Sequence, residues 1–253
     1  NAAPPGRSII APQAAMMQDS SVAFPGINKL KQGRSDFLNI VNDAVIRFPD
    51  NRMCRRVIAG EMTLQDYHSL LLTLFHQVYE APTSMALAAA TCDPEQEVAK
   101  DYLLMQADQA KNQWKLIRND LAATGYSDRD PHDDFPSPPC QAYVAFNFYI
   151  ALKAPMARIA TGLVLKTIGV SFGGNYASKL VQDLSLSPEQ ASFLFAMSGD
   201  EVDHVDEVEQ VIEKAYLTDR DWRWMCHAAK TASHLYANMY NAVVSGTGRR
   251  NAD

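Results

Sequence analysis

Six acids and one histidine crowd into "SGDEVDHVDEVEQ", residues 198–210. Helical spacing sorts them. Met197, Glu201, His204 and Val208 follow one another at +4, +3 and +4, so they share one stripe, flanked by Leu194, Val205, Ile212 and Ala215. That stripe is the expected buried face, while Asp203, Asp206 and Glu209 are expected to face solvent. A carboxylate and an imidazole on an apolar face are costly unless each finds a partner. Glu201 and His204 could pair with each other as a helix tie, bind a metal, or move protons for a substrate.

A second polar pair poses the same choice. Residues 95–124 read as one helix with an apolar arc of Leu103, Ala107, Ala110, Trp114, Ile117 and Leu121. Gln106 and Gln113, seven residues apart, lie on that arc, with Asp108, Asn112 and Lys115 opposite. Amides on a buried arc need hydrogen-bond partners, from another helix or from a ligand.

Other groups are weaker candidates. His76, near Tyr79 and Glu80, falls on the more polar side of its helix; a heme ligand there competes with a surface or interface histidine. "DRDPHDDF" (128–135) gathers acids around His132, but it lacks the glycine and spacing of a calcium loop and reads as a solvated loop that could lie over a pocket mouth. Tyr143, Phe146, Phe148 and Tyr149 enrich one helix in aromatics, with Lys153 and Arg158 beyond. Core packing is their first reading, pocket lining the second, and Tyr149 is the one taken as a substrate contact. Trp222, Trp224, His227 and His234 read as packing or as the face of a homodimer. Cys54, Cys92, Cys140 and Cys226 fall on none of the Gln/Glu/His faces, so no thiol nucleophile is assigned. Phosphate-loop, dinucleotide and nucleophile-elbow motifs are all missing.

The elements that must position these residues are helices. From about residue 28 the apolar period stays near 3.6 and no stretch alternates as a strand would. Gly60 and Gly125 sit where helix C-caps want glycine, Thr63 and Asp219 where helices start, and Pro82 inside a long helix. Ser187-Pro188-Glu189 should open the helix that carries Glu201 and His204. The expected architecture is all-α, a single bundle of seven or eight helices over 28–246. An extended or disordered arm over 1–27 is rich in Pro, Gly, Ser and Ala and without the charged start and apolar stretch of a secretory signal, and a disordered tail covers 247–253.

The totals bound the partners. The chain has 253 residues, 47% of them hydrophobic and 21% charged, ordinary for one globular domain with a real core. A net charge of −6 argues against nucleic acid, and no apolar run reaches the roughly 20 residues of a membrane span. Four widely spaced cysteines point to a reducing, cytoplasmic setting.

Three segments carry a resemblance: "YLLMQADQAKNQWKLIRNDLAATG", "PSPPCQAYVAFNFYIALKAPMARIATGLVLKTIGVS" and "SFLFAMSGDEVDHVDEVEQVI". Together they resemble the heme-oxygenase-like iron-containing redox enzymes, over about residues 60–217. That group is similar in fold to thiaminase II and pyrroloquinoline-quinone synthase. The resemblance implies a heme-oxygenase-like bundle and, in diiron members, six ligands. Carried across, those positions fall on Gln106 and Gln113, at or beside Ile168, and on Met197, Glu201 and His204.

Only Glu201 and His204 suit iron: amides are poor substitutes for carboxylates, a thioether is too soft, and isoleucine has no donor. The expectation is therefore a biosynthetic small-molecule enzyme that keeps the fold without the metal. His204 would transfer a proton, Glu201 would orient it, Gln106 and Gln113 would hold the substrate, and Met197, Ile168 and Tyr149 would line the pocket. No cofactor is expected. The competing readings are a non-catalytic ligand-binding or partner protein, and an iron enzyme with an atypical site.

Overall fold

A computed structural model describes residues 35–126, 129–199, 201–215 and 217–245. The expected arm and tail lie outside the described residues, and so do the side chains of Glu201 and His204.

All regular structure among the described residues is helical. The order is α1 (Ser35–Arg47), α2 (Arg52–Ala59), α3 (Leu64–Ala90), α4 (Glu97–Ala110), α5 (Trp114–Ala123), α6 (Pro138–Lys153), α7 (Pro155–Ile168), α8 (Gly174–Asp183), α9 (Ser192–Gly199), α10 (Glu201–Lys214) and α11 (Asp219–Ser245). Local chemistry sets the ends. The Asn51 side chain accepts from the Cys54 amide at 2.9 Å to cap α2, and Gly60 closes it at φ 70°. Thr63 and Asp66 form a capping box at the start of α3. Proline opens both α6 and α7, where the missing N–H costs nothing.

α7 lies at the centre, packed against α11, α6, α10, α1 and α3. Its buried residues run almost its whole length, including Met156, Ile159, Leu163, Val164 and Ile168. A helix apolar on nearly all sides belongs inside a bundle.

Three elements differ from the sequence expectation. The helix over 95–124 is two helices, separated at Lys111–Gln113, where the Trp114 indole donates to the Lys111 carbonyl at 3.1 Å. α7 does not stop at "TIG": Gly169–Gly173 continues as a π-helical turn into α8. Ser187-Pro188-Glu189 opens a short 3-10 turn, Pro188–Gln190, and α9 then starts on its own cap. That cap comes from another helix. Buried Asp120 of α5 accepts from the Ser192 amide (3.0 Å), the Ser192 hydroxyl and the Phe193 amide (2.9 Å). A carboxylate on the orphan amides of a helix N-terminus satisfies charge and donors together.

Candidate active site

Between α3, α4, α6, α7, the π turn, α8, α9 and α11 lies a cavity of about 340 Å³. One wall is aromatic. Tyr143, Tyr236, Tyr240, Phe48, Phe172 and Tyr176 form a continuous chain of rings whose neighbouring centroids lie 4.9–6.5 Å apart. Phe48 stacks on Tyr236 with an interplanar angle of 22°, and the Tyr236 and Tyr240 hydroxyls are 3.0 Å apart.

Other lining residues supply amides. Gln77 of α3, Gln106 and Gln109 of α4, and Gln113 at the break before α5 all line the cavity. Gln106 is held at both ends of its amide. Its Oε1 accepts from Lys166 Nζ at 2.8 Å and its Nε2 donates to Gln109 Oε1 at 3.0 Å. Lys166 also donates to the Tyr102 hydroxyl at 2.8 Å.

The α7 face carries the charge. Arg158, Gly162, Leu165 and Gly169, at +4, +3 and +4, all line the cavity. Arg158 is 6% exposed. Its Nε donates to Ser84 Oγ at 3.0 Å and its Nη1 to Thr161 Oγ1 at 3.2 Å, and Thr161 in turn donates to Asn147 Oδ1 at 3.0 Å. Burial pulls this guanidinium below its usual value, against the opposing pull of Tyr143 and Tyr102.

Of the residues singled out from the sequence, Gln106, Gln113, Ile168 and Met197 come together on this cavity. Tyr149 does not. It is 48% exposed, with its ring 6.3 Å from Trp224 on the outside of the bundle. The phase of α6 explains this: Tyr143, Val144, Asn147 and Phe148 face inward, which turns Tyr149 away. Glu209, expected in solvent, is buried (3% exposed), because it shares its face of α10 with Ile212, three residues on. His132 is not simply solvated either. Its ring centroid lies 4.9 Å from Phe75, 4.9 Å from Tyr79 and 5.0 Å from Trp114, all edge-on, and Nδ1 is 2.8 Å from Asp130 Oδ1. None of the described residues of that loop, nor His76, lines the cavity.

No site role was expected for Arg158, Lys166 or Cys54, all of which line the cavity. The signal for the first two was two cations in the apolar helix "PMARIATGLVLKTI". Cys54 lines the cavity although it lies on none of the faces first considered. Burial pushes its thiol up to about 11, offset in part by hydrogen bonds from Asn51 and Tyr176, so it is protonated near neutrality.

No protein-family model and no curated protein matches the chain by sequence. Solved structures do match in shape. A domain of unknown function with a heme oxygenase-like fold from Shewanella denitrificans superposes with a TM-score of 0.76 at 15% identity, covering 85% of this chain and 93% of that one. The fold is heme-oxygenase-like. A TenA homologue from Pseudomonas syringae follows at TM-score 0.68 and 13% identity, over 83% and 92% of the two chains. Heme oxygenase-1 from Synechocystis, solved in complex with heme, reaches 0.59 at 16%, over 85% and 95%.

Iron is the group this fold suggests, and the described residues do not fit it. Where a diiron site needs carboxylates, the Gln106 amide oxygen is taken by the Lys166 ammonium, which would repel a dication. Ile168 offers no donor and Met197 only a thioether. Among the described residues, no three His, Cys, Asp or Glu side chains gather as a metal set.

Proposed function

We propose that this chain is a biosynthetic enzyme that binds a small organic molecule in the central cavity and acts on it by proton transfer, without a metal. The observation that supports this best is the cavity itself. At about 340 Å³ it is in the size range of ligand pockets, with an aromatic wall for an apolar body and, in the same lining, the hydrogen-bonded Gln106–Gln109 amide pair. The ring wall packs the substrate. The Gln113 amide and the Gln106–Gln109 pair hydrogen-bond its polar groups, and Met197 and Ile168 bound the space. Glu201 and His204, on the helix that follows α9, are the residues proposed to orient and move the proton. The Cys54 thiol, held protonated, serves as a weak donor rather than a nucleophile.

The test is turnover. Protein incubated with a fractionated small-molecule extract, with and without ferrous iron, is followed by mass spectrometry for a compound consumed. Iron-independent consumption that is lost in His204→Ala and Glu201→Gln supports the reading. Consumption unchanged in both variants, or strictly dependent on iron, overturns it.

A further inference from the structure

We propose that the ligand of this cavity is a carboxylic acid with an aromatic or apolar body, and that Arg158 receives its carboxylate. The inference rests on the reading of the cavity as a small-molecule site and names the class of molecule.

Arg158 is a buried charge that no described acid compensates. Arg158 is 6% exposed and lines the cavity. Among the described residues its partners are two neutral hydroxyls, Ser84 and Thr161, and no carboxylate lies within ion-pair distance. Those hydroxyls already spend their own hydrogens elsewhere, Ser84 on the Ala81 carbonyl at 2.8 Å and Thr161 on Asn147. They accept from Nε and Nη1, and among the described residues Nη2 has no hydrogen-bond partner. A buried ion without a counter-ion is among the most costly arrangements in a protein interior. The same planar fork presents donors in the geometry a carboxylate accepts.

The helix keeps the space at that fork open. Gly162, one turn on, is helical, and a Cβ there would meet Arg158 Nη1 at 3.9 Å. Glycine inside a helix costs about 0.5–1 kcal/mol against alanine. Its φ is ordinary here, so the backbone does not demand it. Its missing side chain leaves room beside the guanidinium.

Charge and shape choose among anions. The second cation of the lining, Lys166, is engaged by Tyr102 and Gln106, and the described acid in the lining is Glu80. With Arg158 and Lys166 positive and Glu80 negative, the described lining carries one net positive charge, which a carboxylate neutralises, whereas the dianion of a phosphate monoester would bury an excess. The ring wall from Tyr143 to Tyr176 suits a flat body attached to the acid.

The test is calorimetric titration of the full chain with three probes that share one body: 3-phenylpropanoate, 3-phenylpropanamide and 2-phenylethyl phosphate. The expected result is binding of the acid about tenfold or more tighter than the amide or the phosphate. Arg158→Gln should abolish that preference while leaving amide binding in place. Gly162→Leu, which keeps the charge but fills the space beside it, should weaken the acid about tenfold. The comparison of probes on the wild-type chain stands even if a variant fails to fold. Equal binding of acid and amide overturns the Arg158 assignment and leaves the cavity reading intact. Tighter binding of the phosphate overturns the choice of carboxylate. Binding of none of the three overturns the cavity reading and the anchor with it.

Discussion

Asp120 and Arg158 are both charged and both buried, and the chain treats them in opposite ways. Asp120 receives three donors from the start of α9, two of them backbone amides at a helix N-terminus, so its charge is answered within the fold. Arg158 receives two neutral hydroxyls on the wall of a cavity. A charge satisfied by its own chain is there to hold elements together. A charge whose described partners are neutral, beside an open space, is what the proposed carboxylate ligand would answer.

The largest expected effect breaks the first half of that contrast. Asp120→Ala strands the buried Phe193 donor and the half-buried Ser192 donors, at about 1–3 kcal/mol each. A loss of about 3 kcal/mol, or roughly 10 °C in Tm, should appear in thermal unfolding. Arg158→Met should move the other way. It removes a buried ion that has no counter-ion among the described residues, so stability should hold or rise by up to about 2 kcal/mol, read by the same unfolding curve. A loss as large as that of Asp120→Ala would make Arg158 a structural residue after all.

A third titratable group, the half-buried His76, sharpens the contrast through pH. Burial lowers His76 below its ordinary value of 6.5, offset by Asp134 and reinforced by His132. The folded chain thus binds fewer protons at this site than the unfolded chain. Its contribution is complete above pH 6.5 and is lost as pH falls from there towards the folded value. Stability measured from pH 7.5 to 5 should decline, and His76→Gln should flatten that slope. The smallest effect belongs to Gly162→Ala. A Cβ fits at 3.9 Å from Arg158 Nη1, and the helix gains about 0.5–1 kcal/mol, seen as a small rise in unfolding midpoint.

Much of this was legible in the sequence, and the limits have physical causes. The 3.6 period gave the helices, and the phase of α4 put Gln106 and Gln113 on one side, where the cavity lies. The break at Lys111–Gln113 was not legible, because no proline or glycine marks it; an indole bonded to a carbonyl closes the first helix. Tyr149 was misplaced because an aromatic-rich helix reads apolar on every side, so its phase is weak. Arg158 was given no role for a different reason: its significance lies in what packs around it, and that is decided by tertiary structure. Cys54 joins the site from a short helix far away in sequence, a neighbourhood that spacing cannot reveal.

The central claim, that Arg158 is kept for a ligand rather than for the fold, meets its most direct test in urea unfolding of wild type and Arg158→Met, each with and without 3-phenylpropanoate. The account predicts a variant at least as stable as wild type without the acid, and stabilisation by the acid in wild type alone. A variant that is markedly less stable, or one stabilised by the acid as much as wild type, would contradict it.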